Sequence, residues 1–405
     1  MKKKLLSFIF AICLIIPCAL FVGCTKDKEP TNPAVNEVKV MFSEDSKTLY
    51  RFAPDNDETE YTVPDGVTNI AIAAFENCDN LTKVILPSSL ANIKEKAFYN
   101  CNNLTTIEIN SDISIGDRAF SDCQKLSTID TSKIISYGSY ALSNCDALTS
   151  VTIAKEVQKL PEGVFSYTEL LSTVIFEANS ECYSIGDEAF KSSKLTSIAL
   201  PASCTTICSM AFMYSDLTNI TIGKNVTKIY SYAFAGCEDL LTVGFETGRT
   251  ELLEFFDSIY DKSYGGTFKQ CSNLVSVTNF PTESSIVDTM FQRCEKLELF
   301  TFANEDTGEL LGNTYIGDYA FNLCNNLKEI YLPEHITDLG AFAFDGDLTA
   351  IGINNVMVVD ELGIDVNILY IKNGLTITDL TYLENFTKQA TSDKVGYDMY
   401  VRNAE

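Results

Sequence analysis

The sequence predicts a β-rich solenoid. Three observations point there: one phrase returns at a nearly fixed spacing, its apolar residues alternate as in a short strand, and small residues recur where neighbouring turns must approach. The phrase "AFENCDNLTKVILP" occupies 74–87, and "AFYNCNNLTTIEIN" begins 23 residues later. Twelve units follow, centred on Phe75, Phe98, Phe120, Leu142, Phe165, Phe190, Phe212, Phe234, Phe268, Phe291, Phe321 and Phe344. Most spacings are 22 or 23 residues, and spacings of 25, 34 and 30 mark insertions. A period in this range means stacked structural repeats.

Each part of the unit has a task. The phrase L-x-x-[IV]-x-[ILF], as in "LTKVIL", "LTSVTI", "LTSIAL" and "LKEIYL", puts two apolar residues two apart, as one buried strand face requires. Five residues before the aromatic stands a second apolar anchor: Ile70, Ile93, Ile115, Leu160, Ile185, Ile207, Ile229, Ile286, Ile316 or Leu339. Alanine precedes the aromatic in most units, so turns can close up while the ring fills the space between layers. Gly116, Gly138, Gly186, Gly317 and Gly340 mark a bend after the anchor. One unit alone cannot bury both faces, but a stack can. With strands about 4.8 Å apart, twelve units make a rod or arc roughly 55 Å long.

The phrase I-G-x-x-A-F-x-x-C-x-x-L-x-x-[IV]-x-[IL], present as "IGDRAFSDCQKLSTI" and "IGDYAFNLCNNLKEI", resembles the BspA-like leucine-rich-repeat family of microbial surface proteins. The resemblance covers residues 67–353. It implies a β-rich leucine-rich-repeat solenoid of the right-handed α/β superhelix class. It also implies a non-catalytic binding role on the cell surface, in adhesion to host matrix proteins or other cells. The family brings no shared catalytic residues to carry over.

The remaining chain divides around this array. Lys2, Lys3 and Lys4 followed by an apolar run over 5–22 read as an export signal. The stretch Phe21-Val22-Gly23-Cys24 resembles the lipobox of bacterial lipoproteins, which implies a signal peptide at 1–23 and lipidation of Cys24. An uncleaved signal anchor is the alternative, since about 18 apolar residues can just span a bilayer. Pro17 and the small residue before Cys24 favour cleavage. Residues 24–37 read as a lipidated cysteine and tether, and 38–66 as an N-terminal cap whose "TLYRFAP" and "YTVPDG" suggest a strand pair. Residues 354–405 read as a C-terminal cap of strand, short helix and strand, from "VNILYIKNG", "LTYLENFTKQ" and "GYDMYVRN".

The full chain has 30 basic and 55 acidic residues, a formal charge of −25. Loss of the three signal lysines leaves 27 against 55. Such a surface repels phosphate backbones and anionic membranes, so nucleic acid is excluded as a partner. The expected partner is an extracellular protein or cell-surface ligand, and the expected membrane contact is the lipid anchor only. Localisation follows: the outer face of a bacterial envelope.

Eight cysteines fall three residues after the aromatic: Cys78, Cys101, Cys123, Cys145, Cys237, Cys271, Cys294 and Cys324. Thr168, Ser193 and Ser215 take that place in other units, so neither a disulfide nor a metal is required there. A reduced ladder of small side chains inside the turn fits better, because stacked parallel side chains give poor disulfide geometry. Cys182 and Cys204 stand three residues before successive anchors, and Cys208 replaces the bend glycine. A Cys182–Cys204 disulfide and simple core packing both remain open, with packing favoured.

Chemistry is sparse. His335 is the only histidine, which removes H-E-x-x-H hydrolysis, and no G-x-S-x-G, G-x-G-x-x-G or Walker loop occurs. "DNDETE" at 55–60 begins like a calcium loop but carries Thr59 and Glu60 where Asp or Asn and Gly are needed. No cofactor, metal or catalytic residue is expected. The open positions of the strands, including Ile85, Glu108, Thr152, Thr221, Gly244, Thr278 and Tyr331, are irregular, the neighbouring column is mostly Ser and Thr, and Tyr331 alone makes no sugar-stacking platform. The best binding candidate is the insertion before Phe268, "ETGRTELLEFFDSIYDKSYGG". Leu252, Phe255, Phe256, Tyr260 and Tyr264 carry it, and the apolar spacing over 252–260 suggests a short amphipathic helix. The competing reading is that these aromatics cover the irregular repeat beside them. A second reading of function is capture of a surface polysaccharide or nutrient for a partner complex.

Overall fold

The computed structural model describes residues 39–53, 55, 57–256, 265–303, 314–334, 336–344, 348–353, 368–372, 386–389, 391–394 and 397–403. Residues 1–38, with Cys24, form a separate unit outside the described residues. His335, Tyr260 and Tyr264 also lie outside them.

Most described coils contribute a strand to each of two parallel sheet walls. In the first wall Tyr61, Val84, Ile107 and Ile129 stand in register, then Val151 with Val174, then Ile220, Val243, Val277 and Phe300, then Ile330, Ile351 and Leu369. In the second, Leu49, Ile70, Ile93, Ile115 and Tyr137 are in register, followed by Leu160, Ile185, Ile207, Ile229 and Phe255. These columns are the apolar positions of the repeat, and their burial removes the inner face of each sheet from water.

The third wall is the turn around the aromatic, and here the α/β superhelix expectation fails. Among the described residues the only helical element is a 3-10 turn, Thr131–Lys133. The reason lies in the backbone on either side of the aromatic. The residues two before and two after it are left-handed: Ala73 and Asn77 (φ 54° and 58°), Lys96 and Asn100, Arg118 and Asp122, Tyr140 and Asn144, Tyr319 and Leu323. A left-handed residue every fourth position cannot continue a right-handed helix. The N–H groups are spent differently. Those of Ala73, Phe75 and Asn77 donate to the next coil, to Glu95 O (3.0 Å), Ala97 O (2.7 Å) and Tyr99 O (2.9 Å). Those of Ala74, Glu76 and Cys78 close turns onto Ala71 O, Ala73 O and Phe75 O within the coil. Every second N–H thus joins coils, and the array is an almost entirely β solenoid.

The aromatic rings stack down the interior. Phe52, Phe75, Phe98 and Phe120 form one run with centroids 4.6–5.1 Å apart. Phe165 to Phe344 form a second run of eight rings at 5.1–5.6 Å. The break is Leu142, and Tyr137 at the anchor position of that coil fills the gap, edge-on to Phe165 at 5.7 Å.

Four other expectations change. "TLYRFAP" and "YTVPDG" do not pair with each other: Thr48–Phe52 lies in the second sheet beside Val40–Phe42, and Glu60–Thr62 lies in the first. "LTSIAL" forms no strand, so the first sheet is interrupted between Thr173–Phe176 and Asn219–Ile222. At the C-terminal end Phe386–Lys388 is a strand antiparallel to Tyr397–Arg402, where a short helix was expected. The recurring glycines after the anchor are needed for coil-to-coil approach: a Cβ on Gly116 would sit 2.7 Å from Glu95 N, and one on Gly340 would sit 2.4 Å from Asp318 N.

Candidate binding surfaces

The cysteine column lies wholly inside. Each thiol points back to the carbonyl of the aromatic in the preceding coil: Cys101 Sγ to Phe75 O (2.9 Å), Cys123 Sγ to Phe98 O (3.0 Å), Cys145 Sγ to Phe120 O (3.3 Å), Cys237 Sγ to Phe212 O (3.1 Å). Cys271, Cys294 and Cys324 do the same at 3.2 Å to Phe234, Phe268 and Phe291, and Cys78 reaches Phe52 O at 3.6 Å. The carbonyl of Phe75 also takes the N–H of Cys78, so both its lone pairs are used. Thr168 substitutes with its hydroxyl, 3.4 Å from Leu142 O. Ser193 does not: its Oγ is buried with no partner.

All eleven described cysteines carry free thiols, Cys182 and Cys204 included. Burial pushes Cys237 and Cys324 up to about 12, Cys204 to about 12 and Cys182 to about 11. Such thiols stay protonated, which suits donors and not nucleophiles. Among the described residues no group of three or more His, Cys, Asp or Glu side chains is placed to hold a metal ion.

The insertion begins as a strand and not as a helix. Glu254–Phe256 pairs in parallel with Lys228–Tyr230, so Phe255 takes the anchor position that Ile229 holds one coil earlier. Anchor and aromatic, usually five residues apart, are here thirteen apart, and the Ile229–Phe255 step is itself 26 residues long. Phe255 stacks on Phe280 (5.6 Å, 10°), and Phe256 stacks on Tyr230 (5.1 Å) with Lys228 Nζ 5.9 Å from its ring centre. Leu252 is half-buried. Despite the insertion, the turn column continues, with Phe234 N donating to Thr267 O at 2.9 Å.

A second surface escaped the sequence reading. Exposed rings occupy the left-handed positions flanking the buried aromatic: Tyr167 (43% exposed), Tyr214 (51%), Tyr319 and Phe342 (52%). Tyr319 and Phe342 stack at 5.2 Å. Tyr140 covers Gly163, whose added Cβ would lie 2.1 Å from the ring, and Arg118 stands 5.2 Å from the centre of that ring. The signal was present as Tyr or Phe two residues to either side of the repeat aromatic. Period-two alternation marks strand faces only, and the turn flanks have no such pattern.

The sequence profile of the BspA type leucine rich repeat region matches residues 49–172, 167–263 and 298–359. The chain belongs to the BspA-type leucine-rich-repeat family. As a BspA-type array it is a non-catalytic, protein-binding scaffold. A leucine-rich repeat protein from Bacteroides ovatus is 21% identical over 79% of this chain and 94% of that one, with a TM-score of 0.52, and shares the fold. A leucine rich cell surface protein from Faecalibacterium prausnitzii is 25% identical over 78% and 86% (TM-score 0.45), and the pneumococcal vaccine antigen PcpA is 17% identical over 78% and 81% (0.40). No curated protein matches the chain.

Proposed function

We propose that this BspA-type protein is a cell-surface adhesion scaffold, anchored through a lipid on Cys24, that holds another extracellular protein or cell by the turn-side edge of its solenoid. The observation that carries this reading is the row of exposed rings on a rigid backbone. Tyrosine supplies large contact area at low entropic cost and is enriched at interface centres. Tyr167 and Tyr214 stand two coils apart on the column two residues after the aromatic, and further along the array Tyr319 and Phe342 stand on the column two residues before it. Leu252 and Phe256 at the base of the insertion are further candidates for this contact, as are Tyr260 and Tyr264 by sequence. Surface exposure fits the export signal and the lipobox-like residues before Cys24.

Two measurements test it. Labelled palmitate should enter the protein in cells and be lost in Cys24→Ala, and retention of label would remove the anchor from the proposal. Binding of whole cells and immobilised matrix proteins at physiological salt should fall at least about tenfold in Tyr214→Ala/Phe342→Ala. Replacing 257–264 by a short Gly-Ser link, which spares the strand at Glu254–Phe256, should reduce it further. Unchanged binding in both variants would exclude this edge.

A further inference from the structure

On the open face of the first sheet Gly244 stands between Thr221 and Thr278 in register. Nothing inside the protein requires glycine there. Its backbone is not left-handed, and an added Cβ would make ordinary contacts of 3.7 Å with Thr278 Oγ1 and 3.8 Å with Thr221 Oγ1. Gly352, in the equivalent place further along, is different: its Cβ would meet the Tyr331 ring at 2.3 Å. A strand glycine without an internal reason weakens the strand and marks a place where something approaches the backbone closely.

Three further features converge on the same place. An open depression of about 600 Å³ lies over Gly244, with Thr221, Lys224, Glu246 and Asn279 in its lining. Asn279 reaches it because the strand Ser276–Phe280 slips register against Leu299–Phe302 between Val277 and Phe280, leaving Asn279 left-handed at φ 56°. Bulges of this kind re-aim side chains. The rim is also held in place. Arg249 donates to the carbonyls of Val226 (2.7 Å), Gly223 (3.0 Å), Ile222 (3.3 Å) and Lys224 (3.3 Å), while Glu246 Oε2 accepts the backbone N–H of Lys224 at 3.0 Å.

We infer that this depression is a binding site for a neutral sugar, one or two pyranose rings of an oligosaccharide chain. Its lining mixes hydroxyls and an amide, which both donate and accept, with one ammonium donor and one carboxylate acceptor. That set matches a ligand whose polar groups are hydroxyls. A peptide strand is a poorer fit, because both edges of Thr242–Phe245 are already paired, to Asn219–Ile222 and to Ser276–Phe280. Anionic glycans meet the acidic charge of the chain, −25 overall. Among the described residues no exposed ring lines the depression, so the affinity rests on hydrogen bonds. It lies on a sheet face away from the turn-edge rings and does not depend on adhesion through them.

The test is calorimetric titration of the intact protein with glucose, galactose, mannose, N-acetylglucosamine and their β-linked disaccharides. At least one should bind saturably. Gly244→Thr matches its in-register neighbours Thr221 and Thr278, so it should keep or raise Tm while lowering that affinity at least about tenfold. Asn279→Ala should weaken the same sugar without changing the fold's circular dichroism. Absence of saturable binding across the panel, or affinity unchanged in Gly244→Thr, overturns the assignment. Loss of cell adhesion in the turn-edge variants with sugar binding intact would leave it standing.

Discussion

At the residue scale, the requirement three places after the aromatic is for a donor of the right reach. Cysteine meets it because its long Cβ–S bond carries the thiol to the neighbouring carbonyl, and threonine meets it at Thr168. Ser193 keeps the donor and loses the reach, leaving a buried hydroxyl without a partner. An unmet buried polar group costs about 1–3 kcal/mol. Ser193→Cys should therefore raise stability by about 1 kcal/mol, read as an upward shift in the urea midpoint. A lower midpoint would show that the pocket at this coil is too small for sulfur. The sequence announced that small polar side chains were interchangeable here, but it did not show what they bond to. That bond joins successive coils, and no local pattern displays a carbonyl 26 residues away from Cys101.

At the element scale, the coil around Leu142 shows how the interior tolerates a change of plan. Aromatic volume has moved from the turn to the anchor, so Tyr137 and Leu142 replace the usual Ile and Phe. Tyr137→Ile alone should cost about 2–4 kcal/mol by leaving a cavity. Leu142→Phe alone should cost about 1–3 kcal/mol by overfilling. The double variant should recover most of both losses, giving a coupling energy of at least about 1 kcal/mol in a double-mutant cycle. Simple additivity would mean the two side chains do not share one space. The same scale explains why the walls were legible and the turns were not. Two-residue apolar alternation exposes a strand directly. Left-handed backbone is betrayed only by Asn and Asp, at Asn77, Asn100, Asp122 and Asn144, while Ala73, Lys96, Arg118 and Tyr140 give no hint of it. Likewise the spacing over 252–260 suits a helix, yet Phe255 was already committed to the anchor column, and pairing with Lys228–Tyr230 overrode local periodicity.

At the scale of the whole molecule, the buried thiols make the array sensitive to alkali. In the unfolded chain a cysteine ionises near its ordinary value, about 8.5, whereas in the fold Cys237 and Cys324 are pushed up to about 12. Above the unfolded value the unfolded state binds fewer protons than the native one, so stability falls as pH rises. Tm should hold steady below pH 8.5 and decline between about pH 9 and 12, less steeply in Cys237→Thr. A flat profile there would mean the thiols titrate alike in both states. The repeat array could be read in outline from period and position. The Gly244 depression could not, because its meaning depends on which glycines the neighbouring coils make obligatory. One last property belongs only to the assembled array. In every turn the N–H groups that cross to the next coil point toward the C-terminal end, and their carbonyls point back, from Phe52 onward through Phe321. Peptide dipoles of about 3.5 D, aligned head to tail, add as they do in a helix. The turn wall is therefore an aligned row of dipoles, with its negative end at Phe52 and its positive end at Phe321, whereas the sheet walls send N–H groups such as those of Thr82 and Lys94 back to Thr59 O and Ile70 O in the preceding coil.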